Sequence, residues 1–154
     1  MMALRPFFIA SFILLSTMFP AIAGTIEVRM LNRGEHGSMV FEPDFVTLRP
    51  GDTLRFKVGS RSHNAASIPE MTPDGAESFK GKIDEEIEVT FDQPGFYGIK
   101  CSPHFGMGMV MVVRVGDAAL PDDFLEADMP PRAHKRFVEI LERADLHQAV
   151  SASE

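Results

Sequence analysis

Nine consecutive residues, Cys101-Ser-Pro-His104-Phe-Gly-Met107-Gly-Met109, hold a thiol, an imidazole and two thioethers. Cys101 is the only cysteine in the chain. These are soft or borderline ligands, a set that suits copper and disfavours hard ions such as calcium or magnesium. A copper site for one-electron transfer needs two imidazoles, one thiolate and a weak axial ligand, often methionine. The segment supplies three of the four, so a second histidine must come from elsewhere. His134 and His147 fall in or beside a helical pattern, where solvent-facing positions are ordinary, and His36 sits in a Gly-flanked turn. His63, in Arg61-Ser-His63-Asn64 with small polar neighbours, is the best placed. The axial ligand stays open between Met107 and Met109, because spacing alone does not separate them and methionine is also common core filler.

Other chemistries for these residues are weaker. An isolated buried thiol is usually inert, but this one has an imidazole three residues on and methionines close behind. A catalytic cysteine needs a base and an orienting partner; His104 would serve as base, yet no acyl-site signature accompanies it. Zinc favours more thiolates or histidines than the segment offers.

The surrounding pattern supplies a scaffold. Ile26, Val28 and Met30 alternate with Glu27 and Arg29, as in a half-buried strand, and Leu54, Phe56 and Val58 repeat the pattern. Short strands are also expected at Met39 to Phe41, Phe45 to Leu48, Ile87 to Phe91 and Phe96 to Cys101, between Gly/Pro turns. The run from Met109 to Val115 is almost wholly apolar, as a strand buried on both faces would be. Such spacing predicts an antiparallel β-sandwich or barrel. Gly59 to Lys82 lacks periodicity, and a loop that long inside a domain is usually functional or disordered. Beyond residue 117 the pattern turns helical. A short helix is expected between Leu120 and Asp128. A longer amphipathic one follows Pro130-Pro131, with Ala133, Phe137, Ile140 and Leu141 on one face, Glu139 and Arg143 as an i,i+4 pair, and Ser151 to Glu154 frayed.

Residues 1–23 read as a secretory leader: an apolar run from Pro6 to Phe19, then the small-x-small pattern Ala21-Ile22-Ala23. The run is shorter than the roughly 20 residues a spanning helix needs. Its removal leaves one domain, residues 24–154, with a sandwich over 24–117, a helical tail over 118–150 and no membrane segment. The formal charge of −7 grows more negative with loss of Arg5. An acidic chain without a basic run is a poor nucleic-acid binder, and the charge favours a monomer.

Several stretches resemble the cupredoxins, a family of small blue copper proteins: Met39-Val-Phe-Glu-Pro43, Pro50-Gly-Asp52, Ser62-His63-Asn64, Met71-x-Pro73-Asp-Gly-Ala-Glu77, Pro94-Gly95-x-Tyr97-Gly98 and the Cys101 to Met109 segment. The resemblance implies a mainly β, cupredoxin-like Greek-key sandwich and one copper ion cycling between Cu(I) and Cu(II). It implies His63, Cys101, His104 and Met109 as ligands, favouring Met109 although some cupredoxins use the shorter spacing of Met107. It implies Asn64 as a bridge between the two ligand loops and Tyr97 as a tyrosine corner. The expected function is a periplasmic electron carrier, not an enzyme, serving nitrite reductase from c-type cytochromes through transient complexes. Partners would dock over Pro103 and Met107 within a basic ring of Arg33, Arg61, Lys80 and Lys100. The alternative is a copper storage or delivery protein. Where the most similar members carry lysine and glycine ahead of the first histidine, this chain carries Arg61 and Ser62.

Overall fold

Among the described residues eight strands and one α-helix form from these patterns: β1 (Thr25–Gly34), β2 (Gly37–Glu42), β3 (Phe45–Leu48), β4 (Asp52–Val58), β5 (Ala66–Ser67), β6 (Ile87–Phe91), β7 (Gly95–Lys100), β8 (Val110–Val115) and α1 (Pro131–Arg143). The structure, a computed structural model, describes residues 23–146. The expected leader, apart from Ala23, lies outside the described residues, as do His147 and the residues 151–154 expected to fray.

The strands make two four-stranded sheets, ordered β2-β1-β4-β6 and β3-β8-β7-β5. Both are mixed rather than antiparallel, since β1 runs parallel to β4 and β3 parallel to β8. Apolar alternation marks the faces of a strand and carries no information on its direction. The sheets close over Val28, Met30, Phe41, Leu54, Phe56 and Met111, all buried. Tyr97 lies among them and its hydroxyl donates to the Gln93 carbonyl at 2.7 Å, four residues back. That is the expected corner, and it ties the turn before β7 to the core.

Strand β8 is buried on both faces, as its composition requires. Met111, Val113 and Val115 face the opposite sheet, while Val110 and Val112 meet a second cluster built on Phe137, Ile140 and Leu141 of α1. Burying side chains of this size contributes about 1.5–3 kcal/mol each, so the tail is integral to the domain. Pro131 opens α1, where the missing N–H costs nothing.

Two expectations for the tail are corrected. No helix forms between Leu120 and Asp128; the chain makes turns closed by Phe124 N–H to Pro121 O and Glu126 N–H to Asp123 O. So short a helix is marginal alone, and here burying Phe124 edge-on between Phe96 and Phe137 decides the conformation. Arg143 does not pair with Glu139. Its guanidinium reaches Asp44, a nearly buried carboxylate between β2 and β3, at 2.6 Å, and Glu139 faces Lys135 and Arg136 instead. An exposed helical pair is worth a few tenths of a kcal/mol, less than a charge-assisted bond to a largely desolvated partner. Among the described residues no helix is long and apolar enough to cross a membrane.

Candidate metal centre

Cys101 follows the last residue of β7 and Met109 precedes the first of β8. The ladder between these strands runs to Lys100 opposite Val110. One further bond, Cys101 N–H to Met109 O at 3.0 Å, closes the loop. Inside it the chain makes 3-10 turns from Ser102 to Met107, kinked at His104. His104 donates its N–H to Cys101 O and accepts from Met109 N–H, at 3.1 and 3.2 Å. Gly108 ends the turns at φ +86 and packs so closely on α1 that a Cβ would stand 2.8 Å from the Arg132 carbonyl oxygen. Only glycine meets both demands.

His63 arrives from the long segment between β4 and β6 and is completely buried. Its Nε2 lies 2.8 Å from Oδ1 of Asn32 on β1. An amide oxygen only accepts, so Nε2 carries the proton and the lone pair is left on Nδ1. That atom stands 3.0 Å from His104 Nδ1 and 3.7 Å from Cys101 Sγ, and His104 Nδ1 stands 3.5 Å from the same sulfur. The point equidistant from the three atoms is about 2 Å from each, the length of a first-row metal-to-nitrogen bond. Among the described residues, His63, Cys101 and His104 are the cluster able to share one ion.

The electrostatics fit a soft cation. Burial lowers the pKa of His63 first and the nearby His104 adds to it, against an opposing pull from Asp84. The imidazole is thereby kept neutral, the form that binds metal. Burial pushes the Cys101 thiol up, opposed by the backbone N–H groups of Asn64 and His104. A sulfur so enclosed becomes a thiolate when a cation takes the place of its proton. Two imidazoles and a thiolate with a thioether available is a donor set for copper.

Asn64 joins the two ligand segments. Its Oδ1 accepts from Ser102 N–H at 2.7 Å, and its Nδ2 donates to Gly81 O at 2.9 Å and to Ser102 Oγ at 3.2 Å. The two methionines separate in burial: Met109 is wholly enclosed beside Cys101 in the inter-sheet core, whereas Met107 is 46% exposed. Pro103 is exposed and His104 half-buried. His36 and His134 are exposed, away from the cluster.

The four basic residues differ in setting. Arg33 is exposed and follows Asn32 on β1. Lys100 on β7 and Lys80, at an isolated bridge, flank Ala66 of β5 on either side, and the Lys100 ammonium sits 4.8 Å from the Phe105 ring centroid. Arg61 faces Asp84 at 3.5 Å, which offsets its charge. Sequence reasoning missed Asn32 and Asp84. Asn32 begins a turn-like stretch, and nothing local shows that its amide reaches a histidine 31 residues away.

The family model described as "Copper binding proteins, plastocyanin/azurin family" matches residues 28–116. The chain belongs to that family. A pseudoazurin of Paracoccus pantotrophus is 51% identical over 125 residues, 80% of this chain and 86% of that one. Among solved structures, a Sinorhizobium pseudoazurin superposes with a TM-score of 0.76 at 36% identity, covering 80% of this chain and 98% of the other. The pseudoazurin of Methylobacterium extorquens gives a TM-score of 0.73 at 38% identity, over 78% and 98%. The family is one of blue copper electron carriers rather than enzymes, and its domain binds one copper.

Proposed function

We propose that the protein is a periplasmic electron carrier whose copper is held by His63, Cys101, His104 and Met109. The observation that carries this reading is the convergence of two imidazole nitrogens and a buried sulfur, 3.0 to 3.7 Å apart, from segments 38 residues apart in sequence. Copper supplies a one-electron Cu(I)/Cu(II) couple. The chain supplies rigidity, because a site that barely moves keeps reorganisation small. Burial favours Met109 over Met107 as the fourth ligand. His104, half-buried, is the ligand through which the electron enters and leaves, and the exposed Pro103 and Met107 make the apolar part of the contact. Lys80, Lys100 and Arg33 steer an acidic partner, with Arg61 contributing less. Electron-transfer encounters are small, typically below about 1,200 Å², which lets the carrier release each partner. The resemblance described above supports c-type cytochromes as donors and nitrite reductase as acceptor. It also supports a leader over residues 1–23, a mature unit over 24–154 acting as a monomer, and release free of the membrane.

The copper-loaded, oxidised protein is expected to show an intense visible sulfur-to-copper band that Cys101→Ser abolishes. Copper bound without that band would favour storage or delivery instead. Reversing Lys80 and Lys100 to glutamate is expected to slow reduction of an acidic acceptor at low salt by about tenfold and to flatten its ionic-strength dependence. An unchanged rate removes the basic ring from the reading.

A further inference from the structure

We infer that Asp84 is a positioning residue of the copper centre: it holds the turn that aims His63, in a conformation the local sequence resists. The inference rests on the copper reading and deepens it.

Ser62, next to His63, adopts φ +75. Residues with a Cβ enter that left-handed region at a cost, and serine has no amide side chain to ease it. A residue held in that region against its own preference needs a hold from elsewhere in the chain. Asp84 provides one through three contacts. Its Oδ1 accepts the Ser62 N–H at 2.6 Å, its Oδ2 faces Arg61 Nε at 3.5 Å, and its own N–H donates to the His63 carbonyl at 2.8 Å. Residues 61, 62 and 63 are thus gripped in succession by one aspartate. Asp84 itself sits at φ +59, a region aspartate tolerates better than most residues. It lies outside the ligand cluster, so its part is to set the backbone from which the imidazole projects.

If this is its role, removing the hold matters because residue 62 carries a Cβ, and glycine at 62 should make the hold dispensable. The test uses the mature protein loaded with Cu(II), with copper affinity measured by chelator competition and the visible spectrum recorded alongside. Asp84→Ala is expected to weaken copper binding about tenfold, within the range seen when groups supporting metal ligands are lost, and to shift the visible band. Asp84→Asn, which keeps an oxygen for the Ser62 N–H, should retain most of the affinity. The double variant Ser62→Gly/Asp84→Ala should recover it, which a general loss of fold stability would not do. Affinity and spectrum unchanged in Asp84→Ala, or a double variant as weak as the single one, would overturn the inference. Should Asp84→Ala fail to fold, amide exchange of the wild-type apoprotein decides: slow exchange at Ser62 supports the hold, and the free rate of an exposed loop overturns it. A wild-type protein without the sulfur-to-copper band would instead defeat the copper reading, an outcome distinct from all of these.

Discussion

The two halves of the metal centre are built on different principles. Cys101, His104 and Met109 hang from the paired ends of β7 and β8, and main-chain hydrogen bonds complete the loop. His63 comes from an irregular segment fixed by side chains: Asn32 at the ring, Asn64 across to Ser102, and Asp84 behind the turn. Main-chain bonds survive most substitutions, since every residue except proline offers the same donor and acceptor. Side-chain bonds depend on identity. The His63 half is therefore where single substitutions should do most damage.

The largest effect should come from Asn64→Ala, which strikes the junction between the halves. It strands the Ser102 N–H and the buried Gly81 carbonyl, and unmet groups of this kind cost about 1–3 kcal/mol each. Chemical denaturation is expected to show about 2–4 kcal/mol of lost stability with weaker copper binding; stability within 0.5 kcal/mol of wild type would mean that the halves stand independently. A smaller change is expected for Asn32→Ala. Freeing the His63 Nε2–H to water should lower copper affinity about tenfold while leaving the melting of the exposed hairpin end nearly unaltered. Unchanged affinity would show that burial alone orients the ring.

The smallest effect concerns the opposite end of β4, remote from the metal. Asp52 accepts the Gly24 N–H at 2.6 Å and the Arg49 N–H at 2.9 Å, and these bonds, with the Arg49 guanidinium, hold its carboxyl below the usual aspartate range. The folded chain binds this proton less readily than the unfolded chain. Its contribution is therefore complete above the ordinary value near 4 and is lost as pH falls through the lower folded value. Asp52→Asn should flatten that acid limb in denaturation midpoints taken between about pH 2 and 5, without moving the copper band. An identical acid limb would assign the sensitivity to other carboxylates.

How much could be read from the residues follows the same division. Strand positions, the doubly buried β8 and the apolar stripe of α1 were legible because periodicity reports burial directly. The Cys101 to Met109 loop was legible because its donors are close in sequence. What stayed hidden depends on tertiary approach. The parallel pairing of β1 with β4 follows from the path of the chain between sheets, the move of Arg143 to Asp44 from docking of the tail, and the difference in burial between Met109 and Met107 from which thioether the fold encloses. Asn32 and Asp84 were invisible for the same reason, their partners lying 31 and 22 residues away.

The meeting of Gly108 with the Arg132 carbonyl makes the loop and the tail a matched pair. Grafted onto a sandwich with no such helix, residues 101–109 would carry every donor atom and yet swing as on a hinge. Each gain or loss of an electron would then drag more of the chain with it, and turnover between partners would slow although no ligand had changed.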